Sequence, residues 1–165
     1  MTDVRLLLLV LFAGILVFIS YAYAYYQSDN SLLWAKIEKR YRMIYAISGM
    51  LAGLSLLYAM VYHIFLQVDK EDYKIFLCYL LIIVPASLWV PATFLGLRYP
   101  QYKWLSILTL LLTSLGGILL LVFTVKDGRK MDDKSKVAVL VALSIFVFHT
   151  TVLDLISWSP GYLKN

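Results

Sequence analysis

The stretch IFLCYLLIIVPASLWVPATFLGL, residues 75–97, decides the fold, and no Asp, Glu, Lys or Arg interrupts it. A helix rising about 1.5 Å per residue needs about 20 apolar residues to cross a hydrocarbon layer of about 30 Å. Lipid offers the backbone no hydrogen-bond partners, so a single segment of this length crosses as a helix. Four more apolar runs lie on either side, at residues 6–26, 43–67, 104–125 and 137–158. The reading is an all-α fold, an integral membrane bundle of five transmembrane helices forming one domain over residues 1–165.

The composition agrees. Hydrophobic residues make up 62% of the chain and the mean hydropathy is +0.80, against about 45–50% apolar residues in soluble domains. No polar segment is long enough to cover that surface. The net charge of +5 falls in the connectors, which suits the headgroups of membrane lipids and argues against nucleic acid as a partner. The one cysteine, Cys78, excludes an intrachain disulfide and a thiolate metal site. Neither a nucleophile–base spacing nor a phosphate-binding loop occurs, so no catalysis, cofactor or metal is expected. Lys and Arg divide eight against seven between the two sides, which leaves the topology open.

The first span has the features of a signal peptide: Arg5, the apolar Leu6–Ile19 and the small-x-small Ala22-Tyr23-Ala24. The apolar run continues through Tyr25 and Tyr26, however, and Tyr21, Tyr23, Tyr25 and Tyr26 read as an interfacial belt, which favours a retained helix. Beyond a turn, Ser31 is placed to cap an amphipathic segment, residues 31–42. Leu33, Trp34, Ile37 and Tyr41 share one side of it, and Lys36, Lys39 and Arg40 point elsewhere. It is read as an interfacial helix or a surface extension of span two. Short connectors at 68–74 and 98–103 predict that spans two, three and four run as antiparallel neighbours. Gly49 and Gly53 in span two, and Thr109, Thr113 and Gly117 with Ser106, Ser114 and Gly116 in span four, form stripes for close helix approach. Those stripes serve the bundle itself, a homodimer or a larger membrane complex.

Chemistry concentrates in spans three and five. Pro85 and Pro91 each remove a backbone donor and push away a carbonyl four residues earlier, that of Leu81 and that of Ser87. Trp89, one turn beyond Pro85, is placed to line the resulting gap. In span five, His149 falls near mid-span with Thr150 beside it, and Asp154 lies one turn from Trp158. Ionisable residues in a span are candidates for function because their burial is costly. At α-helical winding His149 and Asp154 stand about 140° apart and do not share a face. Arg98, ending span three on the same side, is the expected partner of Asp154 in a structural tie. His63, near the other side with Tyr58 and Tyr62, is read as interfacial.

Spans three to five also carry a pattern. Trp89-Val90-Pro91 is followed by Phe94, Gly96 and Arg98, and Leu153-Asp154 is followed by Trp158. In this the chain resembles the translocator protein (tryptophan-rich sensory protein) family over residues 75–158. It departs from that family in lacking the Trp-x-Pro-Pro and Pro-x-Trp elements of the first loop and second span. Ala86 or Ser87, and Asp154, stand where the family has Asn. The resemblance implies an apolar ligand of sterol or tetrapyrrole type. The residues themselves suggest binding or transport of an apolar small molecule in a cavity within the bundle, where Pro85, Trp89 and Pro91 face His149 and Thr150. The alternatives are a structural or assembly subunit of a membrane complex, and proton or ion conduction through His149.

Overall fold

The computed structural model describes residues 4–26, 34, 37–65, 73–127 and 131–164. These are helical nearly throughout: α1 (Val4–Tyr26), α2 (Lys39–Phe65), α3 (Tyr73–Arg98), a 3₁₀ turn (Pro100–Tyr102), α4 (Lys103–Asp127) and α5 (Asp133–Val147). α5 then continues without a break as a π-helix over Phe148–Trp158 and returns to α geometry in α6 (Ser159–Leu163). Among the described residues, five helices are long and apolar enough to cross a membrane.

Each helix matches a predicted span, and each begins one to four residues before it. α5 begins where Asp132 caps it, the carboxylate accepting from the Ser135 backbone N–H at 2.9 Å. Lys39–Arg42 form the first turn of α2, so that part of the 31–42 segment extends span two. Ser31, Leu33 and Lys36 lie outside the described residues, as do 66–72. α3 runs unbroken through both of its prolines.

The helices are apolar on all sides, and the bundle has an apolar exterior around an apolar core with buried hydroxyls. Phe12, Phe18, Met43, Met50 and Ile156 point outward with 61–79% of their surface exposed. The contacts between helices bury Ser87, Thr93, Ser106, Thr109, Thr113, Ser114 and Thr150 alongside apolar residues such as Tyr79, Ile82, Leu120 and Leu143. Soluble bundles differ in their outer faces, which carry charged and polar residues.

Around the bundle the helices stand in the order α1, α3, α4, α5, α2, with α1 and α2 barely touching. This corrects the predicted order, because α2 packs chiefly on α5 rather than on α3. The small residues of α4 account for it. A Cβ on Gly116 would lie 2.9 Å from Ile82 and 3.0 Å from the Cys78 carbonyl, both on α3. One on Gly117 would lie 3.0 Å from the Phe146 ring on α5. α4 is therefore clasped from both flanks, and the threonine stripe is spent inside the chain. α2 is left the outer face of α5, and it meets α3 through His63, whose Nδ1 is 2.8 Å from the Tyr79 hydroxyl. His63 is buried within the bundle. α1 and α3 run parallel: Arg5 lies over Phe76 at one end, and Tyr23 meets Phe94 at the other.

Candidate functional site

The π-helical segment holds His149, Thr150 and Asp154, and its winding changes which of them meet. Bonding from i to i+5 stacks a residue almost above the fifth one before it. Two hydroxyls report that geometry, Ser157 donating to the Val152 carbonyl at 2.8 Å and Ser159 to the Asp154 carbonyl at 3.2 Å. Neighbouring helices bond other carbonyls of the segment: Tyr45 of α2 donates to Leu153 at 3.0 Å, and Ser114 of α4 to Thr150 at 3.1 Å. Such outside donors support a winding that departs from the α ladder.

His149 and Asp154 consequently share a face, with Nε2 3.5 Å from Oδ2. The 140° separation expected for an α-helix does not hold here. The other ring nitrogen, Nδ1, is 2.9 Å from the hydroxyl of Ser48 on α2. Gly49 makes room for the imidazole, since a Cβ there would sit 3.3 Å from Nε2. Ser48, His149 and Asp154 thus form one polar chain, its two ionisable side chains only 12% and 17% exposed.

The expected tie between Asp154 and Arg98 gives way to this pairing. Asp154 turns inward to His149, while the Arg98 guanidinium lies 5.4 Å from the Tyr99 ring. The remaining residues of the expected ligand site are dispersed. Trp89 packs against Trp158, ring centroids 5.4 Å apart, and against Tyr21 at 5.9 Å, and Trp158 stacks on Tyr162. Aromatic rings thus fill the space beside Trp89, although its Nε1 and the Thr151 hydroxyl are buried without a hydrogen-bond partner among the described residues. Pro85 is buried in α3, Pro91 faces outward, and Thr150 donates to the Phe146 carbonyl at 3.1 Å.

An open groove of about 790 Å³ lies instead between α2 and α5. Ile44, Ile47 and Leu51 form one wall and Leu140, Val141 and Phe148 the other, with Ser48 and Ser144 the polar lining residues. The Ser144 hydroxyl donates to the Leu140 carbonyl of its own helix at 2.8 Å. Sequence reasoning passed over Ser48. Its signal was a hydroxyl beside Gly49 within an apolar span, but nothing in the sequence linked it to a residue 101 positions away. No family model, curated protein or solved structure matches the chain.

Proposed function

We propose that the chain is an integral membrane protein that binds an apolar small molecule, of sterol or tetrapyrrole size, in the groove between α2 and α5. The groove is the observation that carries this reading. Its volume falls in the range of about 300–1,000 Å³ usual for ligand pockets, and an apolar lining with few polar groups suits a lipid-soluble guest. It opens outward, on the side from which a molecule dissolved in the bilayer would enter. The outward apolar residues of all five helices support membrane insertion.

The test is equilibrium binding of a fluorescent sterol and of protoporphyrin to the chain reconstituted in nanodiscs. Ile47→Trp or Val141→Trp, each filling the groove, should remove binding, and Trp89→Ala should leave it. Binding that survives both groove-filling changes defeats the proposal.

A second reading has its own support. The aromatic packing of Tyr21, Trp89, Trp158 and Tyr162 fills the space beside Trp89, as befits an assembly subunit. The groove would then seat a helix of a partner. Retention of one stoichiometric protein through purification, lost on filling the groove, would favour that reading.

A further inference from the structure

We propose that the molecule held in the groove carries a ketone- or quinone-type carbonyl, which accepts a hydrogen bond from the Ser48 hydroxyl; this rests on the groove being the ligand site.

A net charge screened from water inside an apolar bundle costs several kcal/mol, so Asp154 and His149 together keep one proton and stay neutral as a pair. Two arrangements satisfy that condition and give each hydrogen an acceptor; a neutral imidazole with its hydrogen on Nε2, beside a protonated carboxyl, would leave the carboxyl hydrogen with no acceptor among the described residues. Either imidazolium faces carboxylate, or a protonated carboxyl donates to Nε2. In both, Nδ1 carries hydrogen and donates to Ser48 Oγ, 2.9 Å away. Ser48 is then an acceptor, and its own hydrogen remains to be given. Among the described residues this hydroxyl makes no second hydrogen bond, and it lines the groove. Ser144, the other hydroxyl of the lining, has spent its hydrogen on Leu140.

The groove therefore presents one uncommitted donor on an otherwise apolar wall. An unmet donor favours a guest with a lone pair at that point over a pure hydrocarbon. A carbonyl supplies the lone pair with no hydrogen of its own to place. Depth separates the sources of such a carbonyl. Ser48 lies six residues along α2 from Arg42, about 9 Å toward the interior. The ester carbonyls of phospholipids sit at the headgroup boundary, nearer the level of Arg42. A ketone or quinone dissolved among the acyl chains reaches Ser48.

The experiment uses the full chain in nanodiscs of ether-linked phosphatidylcholine, which bring no carbonyl of their own. The probe is ubiquinone-2 labelled with ¹³C at its carbonyls, and farnesane serves as a competitor of similar apolarity without an acceptor. Binding is followed by tryptophan quenching and the carbonyl stretch by infrared difference spectroscopy. The quinone should bind, farnesane should displace it poorly, and the carbonyl band should shift to lower frequency on binding. Ser48→Ala should weaken binding about five- to tenfold, the worth of one hydrogen bond, and abolish the shift. Because the wild-type band is itself a readout, the test survives a poorly folded variant.

If quinone and farnesane bind alike and neither the affinity nor the band responds to Ser48→Ala, the carbonyl assignment is overturned and the apolar groove stands. Failure of both to bind the wild type, with sterol and porphyrin also excluded, overturns the groove as well. Binding that disappears on changing to ester-linked lipid would make the lipid's own ester the occupant, against the assignment.

Discussion

At the scale of the residue, hydroxyl pairs and glycines hold the helices together. Ser106 is fully buried, its hydroxyl 2.7 Å from that of Thr93, and Thr93 itself donates to the Trp89 carbonyl at 2.8 Å. The Ser106 hydrogen therefore goes to Thr93. Ser106→Ala should cost about 0.6–1.7 kcal/mol, the range for interhelical hydrogen bonds. Thr93→Val strands the Ser106 hydroxyl and should cost more, about 1–3 kcal/mol. The double variant should cost less than the sum, measured by reversible unfolding in mixed micelles. Among glycines the contrast is one of space. A Cβ at Gly96 would lie 2.9 Å from the Lys103 Cα and collide with the Tyr162 hydroxyl, whereas nothing lies within 4 Å at Gly53. The same assay should show Gly96→Ala destabilising by about 1–3 kcal/mol and Gly53→Ala stabilising by about 0.5–1 kcal/mol. Equal effects at the two positions would mean that α3 and α4 do not approach as closely as described.

At the scale of the element, the π-helical stretch separates what could be read from the sequence from what could not. His149 and Asp154 stood out as polar residues in an apolar span, because their burial is costly whatever the winding. Their partnership was hidden, since a 3.6-residue period sets them on different faces and an apolar span carries no mark of a change in period. A double-mutant cycle distinguishes the two windings. On the π-helix, His149→Leu leaves the carboxylate without its partner and should cost about 3–5 kcal/mol, much of it recovered when Asp154→Leu is added. Independent, additive effects would restore α winding. At the other end of α5, the Asp132 carboxyl titrates below its ordinary 3.8, held down by the Ser135 hydroxyl and then by the Ser135 backbone N–H. A carboxyl lowered by folding stabilises the helix start above its unfolded pKa, and that contribution is lost as pH falls through the folded value. Amide exchange at Ser135 and Lys136, corrected for its intrinsic pH dependence, should lose protection only as pH falls below the ordinary carboxyl value of 3.8. Asp132→Ala should remove this dependence, and a profile unchanged by the substitution would discount the cap.

At the scale of the whole molecule, five apolar helices were legible because hydropathy and length suffice to define each one. Their neighbours were not legible, because a helix apolar on every side says little about which side meets another helix. What named the neighbours were small residues acting through contacts: Gly116 and Gly117 admit α3 and α5, and Gly49 admits the His149 ring. The resulting arrangement makes a prediction about sides. α1 and α3 run parallel, and α2 and α4 run opposite to them. The start of α3 and the start of α5 therefore share one end of the bundle, and Tyr99 and Lys39 share the other. Single cysteines introduced in a Cys78→Ser background can report this with a water-soluble maleimide on sealed vesicles. Y73C and D132C should react from one side of the membrane, and K39C and Y99C from the other. F18C and M50C are the telling positions, since Phe18 is 79% and Met50 69% exposed on the isolated bundle. If lipid covers those faces, both should stay unlabelled until detergent is added, despite being among the most exposed side chains. Labelling at Phe18 and Met50 as fast as at Tyr99 would mean that water reaches the outer faces, and the chain would then not cross a bilayer.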